Sequence, residues 1–335
     1  MVSPSTSIVR LDLSGPFSEF SSSQDRQGFI AGKILHPVPV AVSEGEFSLL
    51  PIEAVLREET SLRGPHATYQ RIAAHFGTSS FKTREYGLES LLDDRTTKLY
   101  RELIDAEQVA VERAVDGIAR QFEKQAADLI FDTTTWTGES LTTAVSKGWR
   151  DYSNATPIED VAAAVNKVWD GCGLWPNALV ISKKTFLALR LCDEVTDRLT
   201  ASGAGAQALP SQIGPQQLAE LFDLDFAFVG GAARNTANDP QAAVISPIWN
   251  DDYAMVCRAA TGRDLGEPCV ARAFQWSDDT QILPDGGQIG YIAEQYREET
   301  TRGNVFRARS DWDMRVILKE AGHLLTNVSA EEDPE

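Results

Sequence analysis

From Asp94 to about Ile130 the apolar residues Leu99, Leu103, Ala106, Ala110, Ala114, Ile118, Phe122, Ala126 and Leu129 recur in steps of three and four. That spacing predicts one helix with a single buried stripe. No proline interrupts the run and Gly117 is its only glycine. Asp93 and Asp94 suit its start, by capping free amides and opposing the helix dipole. At 1.5 Å per residue the helix would be about 55 Å long, more than a compact domain needs. Glu102, Asp105, Glu112, Arg113 and Lys124 fill the remaining positions and read as a solvated face with weak ion pairs.

Upstream the pattern is different. Residues 1–28 hold eight serines and few apolar side chains, too little to offset their ordering entropy in a core. The stretch from Phe29 to Val40 is apolar and β-prone, but Pro37 and Pro39 donate no ladder hydrogen bond, which predicts an edge strand or an arm lying on another surface. Residues 46–88 alternate short apolar runs with charges and lack the density of a core. They predict a long exposed hairpin or loop excursion.

Beyond Trp149 helix and strand patterns alternate. Thr156-Pro157-Ile158-Glu159 predicts a capping box with proline at the first helical position, opening a helix with Ile158, Val161, Val165 and Val168 on its apolar face. A buried strand is expected over Ala178–Ser182, then a helix carrying Phe186, Leu189 and Val195. A flexible stretch over 201–214, a short helix from Pro215 to Leu221 and a strand at Phe226–Val229 follow. Further strands are expected near Val244–Trp249, Tyr253–Arg258, Cys269–Trp276, Gly290–Glu298, Asn304–Arg309 and Met314–Lys319.

Composition narrows the chemistry. The 335 residues carry 31 Lys and Arg against 49 Asp and Glu, a formal charge of −18. Without a basic cluster to neutralise phosphates, such a chain suits a wall beside nucleic acid better than a tight binder of it. Cys172, Cys192, Cys257 and Cys269 are scattered and read as reduced core residues. No signal-peptide pattern opens the chain, and no apolar run reaches membrane-spanning length.

Motifs of catalysis and cofactor binding do not assemble. Gly77-Thr78-Ser79-Ser80-Phe81-Lys82-Thr83 lacks the second glycine of a phosphate loop. Gly203-Ala204-Gly205 follows a helix instead of a strand, and Gly230-Gly231 runs into Asn235, Asn238 and Asp239 instead of a helix. His36, His66, His75 and His323 show no metal-ligand spacing, and no serine elbow is present. No catalytic, metal or cofactor residues are therefore assigned, and no enzyme activity is expected.

The order of these segments resembles the major capsid proteins of tailed bacteriophages, with the Hong Kong 97-type fold. The phrases that carry the likeness are Phe29 to Val40, the excursion ending Tyr86-Gly87-Leu88, and the long helix. With them go Trp175-Pro176-Asn177-Ala178-Leu179-Val180-Ile181-Ser182, and Tyr296 to Arg302 with Lys319 to Leu325. The resemblance covers most of residues 29–328 and implies an α+β chain. It would comprise an N-terminal arm (1–45), an extended loop (46–88), a peripheral domain (89–150) with spine helix 94–130, and an α/β axial domain (151–265). Peripheral return strands (266–328) and a disordered tail (329–335) would complete it.

The same resemblance implies hexamers and pentamers of an icosahedral shell around double-stranded DNA, assembled in the host bacterial cytoplasm and located in the virion capsid. It implies a separate scaffolding protein, since the residues before the arm are too few for a fused one, together with a portal protein, and leaves open whether a decoration protein is present. No cofactor and no membrane partner are implied. Arg57, Glu58, Arg63, Arg297, Glu298 and Arg302 are the expected subunit-interface residues. An encapsulin-type compartment enclosing protein cargo is the alternative of the same fold, and a soluble α/β enzyme built on residues 158–258 is the alternative of another class.

Overall fold

The computed structural model describes residues 8–9, 28–49, 51, 56–58, 62, 68–69, 77–95, 98, 106–201, 211, 213–238, 241–277 and 289–330. Two sheets and a long helix organise them into a mixed α+β fold.

The larger sheet is built around β14 (Gly303–Val316), a single strand of 14 residues where the sequence suggests two. Along one edge of β14 runs β5 (Arg84–Asp93); along the other, β13 (Ile292–Glu298) and β12 (Ala271–Trp276) lie end to end. Where those two strands meet, the buried Gln275 side chain donates to the Gly290 carbonyl at 2.9 Å, and Ser310 Oγ donates to the same oxygen at 2.8 Å. These contacts satisfy a backbone group that the break between strands would orphan. β1 (Ile8–Val9) flanks β13, and β2 (Pro37–Val40) runs parallel to β12 at the opposite edge. Pro37 and Pro39 thus stand at an edge, where the missing donors cost least.

Helix α2 (Ala106–Ile130) covers one face of this sheet; α1 is the short helix Ala31–Ile34. Val111, Ala114, Val115, Ile118, Phe122, Ala126 and Ile130 are buried, and Arg113 faces solvent. Trp312 of β14 anchors the contact. Its ring meets Phe122 edge-on at 5.5 Å, stacks on Tyr86 at 4.0 Å, and its N–H reaches Gln125 at 2.8 Å. The helix expected from residue 94 has β5 ending at Asp93 before it. Asp94, Arg95 and Lys98 are helical, as expected, and the continuous described run is Ala106–Ile130; residues 96–97 and 99–105 lie outside the described set.

The second sheet has the order β6 (Thr142–Ala144), β15 (Gly322–Thr326), β11 (Ala254–Cys257), β7 (Ala178–Ser182), β8 (Phe226–Gly230). Its inner strand β7 is buried on both faces. Ala178 and Val180 join the core under α2, whereas Leu179 and Ile181 join a second core. That core also holds Val161 and Ala164 of α3 (Pro157–Cys172), Phe186 and Leu189 of α4 (Lys183–Leu189), Val195 of α5 (Asp193–Ala201) and Leu218 of α6 (Pro215–Leu221). Each fully buried aliphatic side chain contributes about 1.5–3 kcal/mol of apolar burial.

Several expectations need correction. Residues 29–35 are core: Phe29, Ile30, Ala31, Ile34 and Leu35 are all buried, and the segment contains α1 instead of being extended. The excursion closes as a hairpin of β3 (Glu44–Leu49) with β4 (Gly77–Lys82), and residues from Arg84 on have already entered the main sheet, because Tyr86 packs on Trp312. The helix expected to carry Phe186 and Val195 is two, α4 and α5, broken where Asp193 N–H turns aside to the Tyr152 carbonyl. Thr156 makes no side-chain cap on α3. Glu194 of α5 supplies it by accepting from Ile158 N at 3.0 Å, a tertiary partner that local sequence does not display. The Asn-rich loop after β8 contains a ribbon, β9 (Ala233–Asn235) with β10 (Ile245–Pro247). β15, expected among the return strands, pairs with β11 and β6 of the second sheet.

Candidate assembly surface

Strand alternation gives the large sheet one apolar face and one charged face. Phe306, Ala308 and Trp312 of β14 point into the core under α2, so Arg307 and Arg309 point the other way. Register sets Arg307 directly between Glu89 of β5 and Glu294 of β13. Arg307 bonds Glu89 at 2.6 Å and Glu294 at 3.5 Å, and Arg309 bonds Glu294 at 3.2 Å. Tyr296 donates its hydroxyl to Glu89 at 3.2 Å beneath the Arg307 guanidinium. Cross-strand pairs of opposite charge favour this register over a slipped one. Sequence reading did not single out these residues, although Arg307 and Arg309 two apart, in a strand whose intervening Ala308 is apolar, are the signal of such a face.

The three predicted interface residues nearest the C-terminus converge at one end of the sheet. Arg297 grips Asp94 through two bonds of 2.9 and 2.8 Å and touches Glu299 at 3.5 Å. The hydrogen bond from Arg297 holds the Asp94 carboxyl below its usual range. Glu298 accepts from the Thr301 hydroxyl at 2.9 Å, closing the β13–β14 turn. Arg302 occupies that turn at φ 52, and its carbonyl accepts from Asp94 N at 3.2 Å. Arg57 and Glu58 lie exposed between β3 and β4, and Arg63 lies outside the described residues. The structure therefore groups Arg297, Glu298 and Arg302, and leaves the loop residues separate from them.

A second surface is apolar. Trp169 at the end of α3 and Trp175 stack at 5.6 Å, with relative exposures of 45% and 57%. Leu56 of the long loop is 59% exposed and lies against Gly173 between them. Nearby, the loop 261–267 is organised around the buried Arg272. This side chain donates to the carbonyls of Gly262, at 2.8 Å, and Asp264, while Glu267 accepts from Thr261 N at 2.9 Å. The loop is thus held firmly while presenting Leu265 to solvent at 50% exposure.

Groups with chemical potential are committed to structure. His323 is buried, bonded at Nδ1 to the Ser140 carbonyl (3.0 Å) and at Nε2 to the Thr143 hydroxyl (2.9 Å); burial lowers its pKa. All four cysteines are buried and free, and burial pushes the Cys257 thiol up to about 12. A hollow of 340 Å³ at the end of α2 is lined by Asp128, Asp132, Asn250 and Tyr253, but Asp132 is spent on Thr134 and Thr135 of its own turn. Among the described residues no group of three His, Cys, Asp or Glu side chains is placed to hold a metal ion, and no helix is long and apolar enough to cross a membrane.

No protein-family model matches the sequence, and no curated protein matches it. Solved structures do. A phage-related protein from Bordetella bronchiseptica RB50 superposes with a TM-score of 0.69 at 18% identity, over 97% of this chain and 99% of the other. The capsid of a native GTA particle gives 0.57 at 15% identity, over 97% and 94%. The holo-SrpI encapsulin complex from Synechococcus elongatus PCC 7942 gives 0.53 at 11% identity, over 89% and 86%. Over 89–97% of its length the chain shares its fold with a phage-related protein, a capsid protein and an encapsulin.

Proposed function

We propose that the protein is the major capsid protein of a tailed bacteriophage, a structural subunit and not an enzyme. The observation that carries this is the extent of the fold match: the capsid of a native GTA particle superposes over 97% of this chain and 94% of its own, and a phage-related protein over 97% and 99%. In this reading copies join as hexamers and pentamers into an icosahedral Hong Kong 97-type shell around double-stranded DNA. Arg57, Glu58, Arg63, Arg297, Glu298 and Arg302 lie at subunit boundaries, and a scaffolding and a portal protein act with the shell. The shell is assembled in the host cytoplasm and becomes the virion capsid. The charge of −18 supports weak, salt-dependent contact with the packaged DNA. Ion pairs at a rim set register and partner choice more than affinity, which suits a subunit that must meet several neighbours.

Electron microscopy of the purified protein, expressed alone and with its scaffold, tests the proposal. Closed shells of regular diameter are expected. A monomer or small oligomer under every condition would overturn it. The similarity to an encapsulin favours a second reading, in which the shell encloses protein. Nuclease-protected DNA inside particles supports the phage reading; a co-purifying cargo protein supports the other.

A further inference from the structure

Glu123 of α2, only 1% exposed, is satisfied within the chain. It accepts from the amides of Ile30 and Ala31, at 2.8 and 3.0 Å, and from the Trp249 indole at 2.6 Å. The outer side of α4 and α5 is different. Lys183, Asp193 and Asp197 are exposed there, and among the described residues none of the three takes part in an ion pair. Both helices bury their other side in the second core, through Phe186, Leu189 and Val195. At 3.6 residues per turn, Lys183, Leu187 and Leu191 form one outer stripe, which Asp193 and Asp197 continue along α5. Leu187 and Leu191 are 46% and 49% exposed, and Tyr152, whose carbonyl accepts from Asp193 N at 2.9 Å, is 41% exposed. Hydrogen bonds hold this surface firmly. Ser182 caps α4 by accepting from Thr185 N at 3.1 Å, and Asp251 accepts from Ser182 at 2.7 Å and Lys184 at 2.9 Å. Glu194, the remaining carboxylate of the first turn of α5, is spent on Ile158 N at 3.0 Å.

Along this surface the order is cation, apolar pair, carboxylates. We propose that it is a two-fold docking surface for a second copy of this chain. A patch whose two ends carry opposite charge is complementary to itself when two copies meet antiparallel. Lys183 of each copy then faces Asp193 and Asp197 of the other, and Leu187 of one meets Leu191 of the other between them. A parallel arrangement would set like charges together and is opposed. Arg198 does not cancel the acidic end, because it stands about 100° round α5 from Asp197. The exposed leucines supply apolar area to bury, and the charges fix the orientation. Because α4 and its cap are already ordered, little entropy is lost on contact. The surface goes beyond the shell reading and stands whether a particle encloses DNA or protein.

Disulfide trapping on the full-length chain tests this. The four native cysteines are buried, so they stay out of reach while the chain is folded. Leu187→Cys and Leu191→Cys proteins are mixed and oxidised gently. Their mixed disulfide should exceed either self-linked dimer severalfold, because only that pairing brings the two side chains within bonding reach. Lys183→Glu in both proteins sets like charges face to face and should cut the mixed product by roughly tenfold. Adding Asp197→Lys should recover much of it. Thermal melts of all these proteins should lie within a few degrees of the parent, since every changed residue is exposed. Equal amounts of the three disulfides, a yield indifferent to the first charge change, or no recovery with the second would each overturn the surface. Preferential trapping of a different protein would overturn it too. Regular shells seen by microscopy beside a failed trap would discard this surface and keep the shell reading.

Discussion

The amide of Gly231 donates to the carbonyl of Gly28 at 3.0 Å, and a Cβ at Gly28 would stand 2.7 Å from the Gly231 nitrogen. Gly28 also has φ +77, a conformation that side chains disfavour. This close approach fastens the start of the core segment to the turn after β8. Gly28→Ala combines backbone strain with a clash against backbone that cannot swing aside. Its expected cost is about 1–3 kcal/mol, read as a lower Tm. An unchanged melt would show that the segment enters the core by another path.

Helix α2 supplies a paired test of burial. Ile118 is fully buried and Arg113 is exposed, five residues away on the same helix. Ile118→Asp places an unpaired charge in the core and should cost several kcal/mol or abolish folding. Arg113→Ala should change stability by less than about 0.5 kcal/mol. Thermal melts of equal midpoint for the two variants would contradict the packing.

The long helix was legible because a period of 3.6 sustained over seven turns has no competing interpretation, and Pro37 and Pro39 correctly pointed to an edge. The placement of Phe29 to Leu35 was not legible. Its apolar density fits an arm on a neighbour as well as a core, and the feature that decides, Glu123, lies 92 residues from Ala31. Glu123 itself was hidden because a glutamate between Phe122 and Lys124 reads as part of a solvated face. At the sheet end, Arg297, Glu298 and Arg302 fall in one turn and could be found together. The ladder of Glu89, Arg307 and Glu294 depends on register between strands more than 200 residues apart, which no local pattern contains.

Two buried groups should give the melt opposing pH dependences. Burial lowers the His323 pKa below 6.5, so the unfolded chain takes up its proton first and stability is lost as pH falls below 6.5. Glu123 has its pKa raised to about 7, so its contribution is fully present below 4.5 and is lost as pH rises to about 7. His323→Asn should remove the acid-side loss, so the difference in Tm between this variant and the parent shifts in favour of the variant from about pH 7 to about pH 5. Calorimetry in matched ionic strength measures it. Parallel Tm curves would mean that His323 keeps an ordinary pKa in the fold.

Where the core begins can be located by truncation. Removing residues 1–27 leaves Gly28, the Glu123 contacts and the buried set from Phe29 to Leu35 in place. The only described pairing lost is β1 with β13, two residues at a sheet edge. That truncated chain should keep the circular dichroism and cooperative melt of the parent, with a Tm within a few degrees. Removing residues 1–35 empties five buried apolar positions and leaves the buried Glu123 without the amides of Ile30 and Ala31. Deleting several core side chains at about 2–5 kcal/mol each exceeds the stability of most domains, so this chain should not fold. If the shell reading holds, the shorter truncation should still yield fewer or less stable particles, because residues before Gly28 would then contribute contacts between neighbours. Normal folding of the longer truncation would place the boundary of the core beyond Leu35, against the burial seen at Phe29, Ile30 and Ile34.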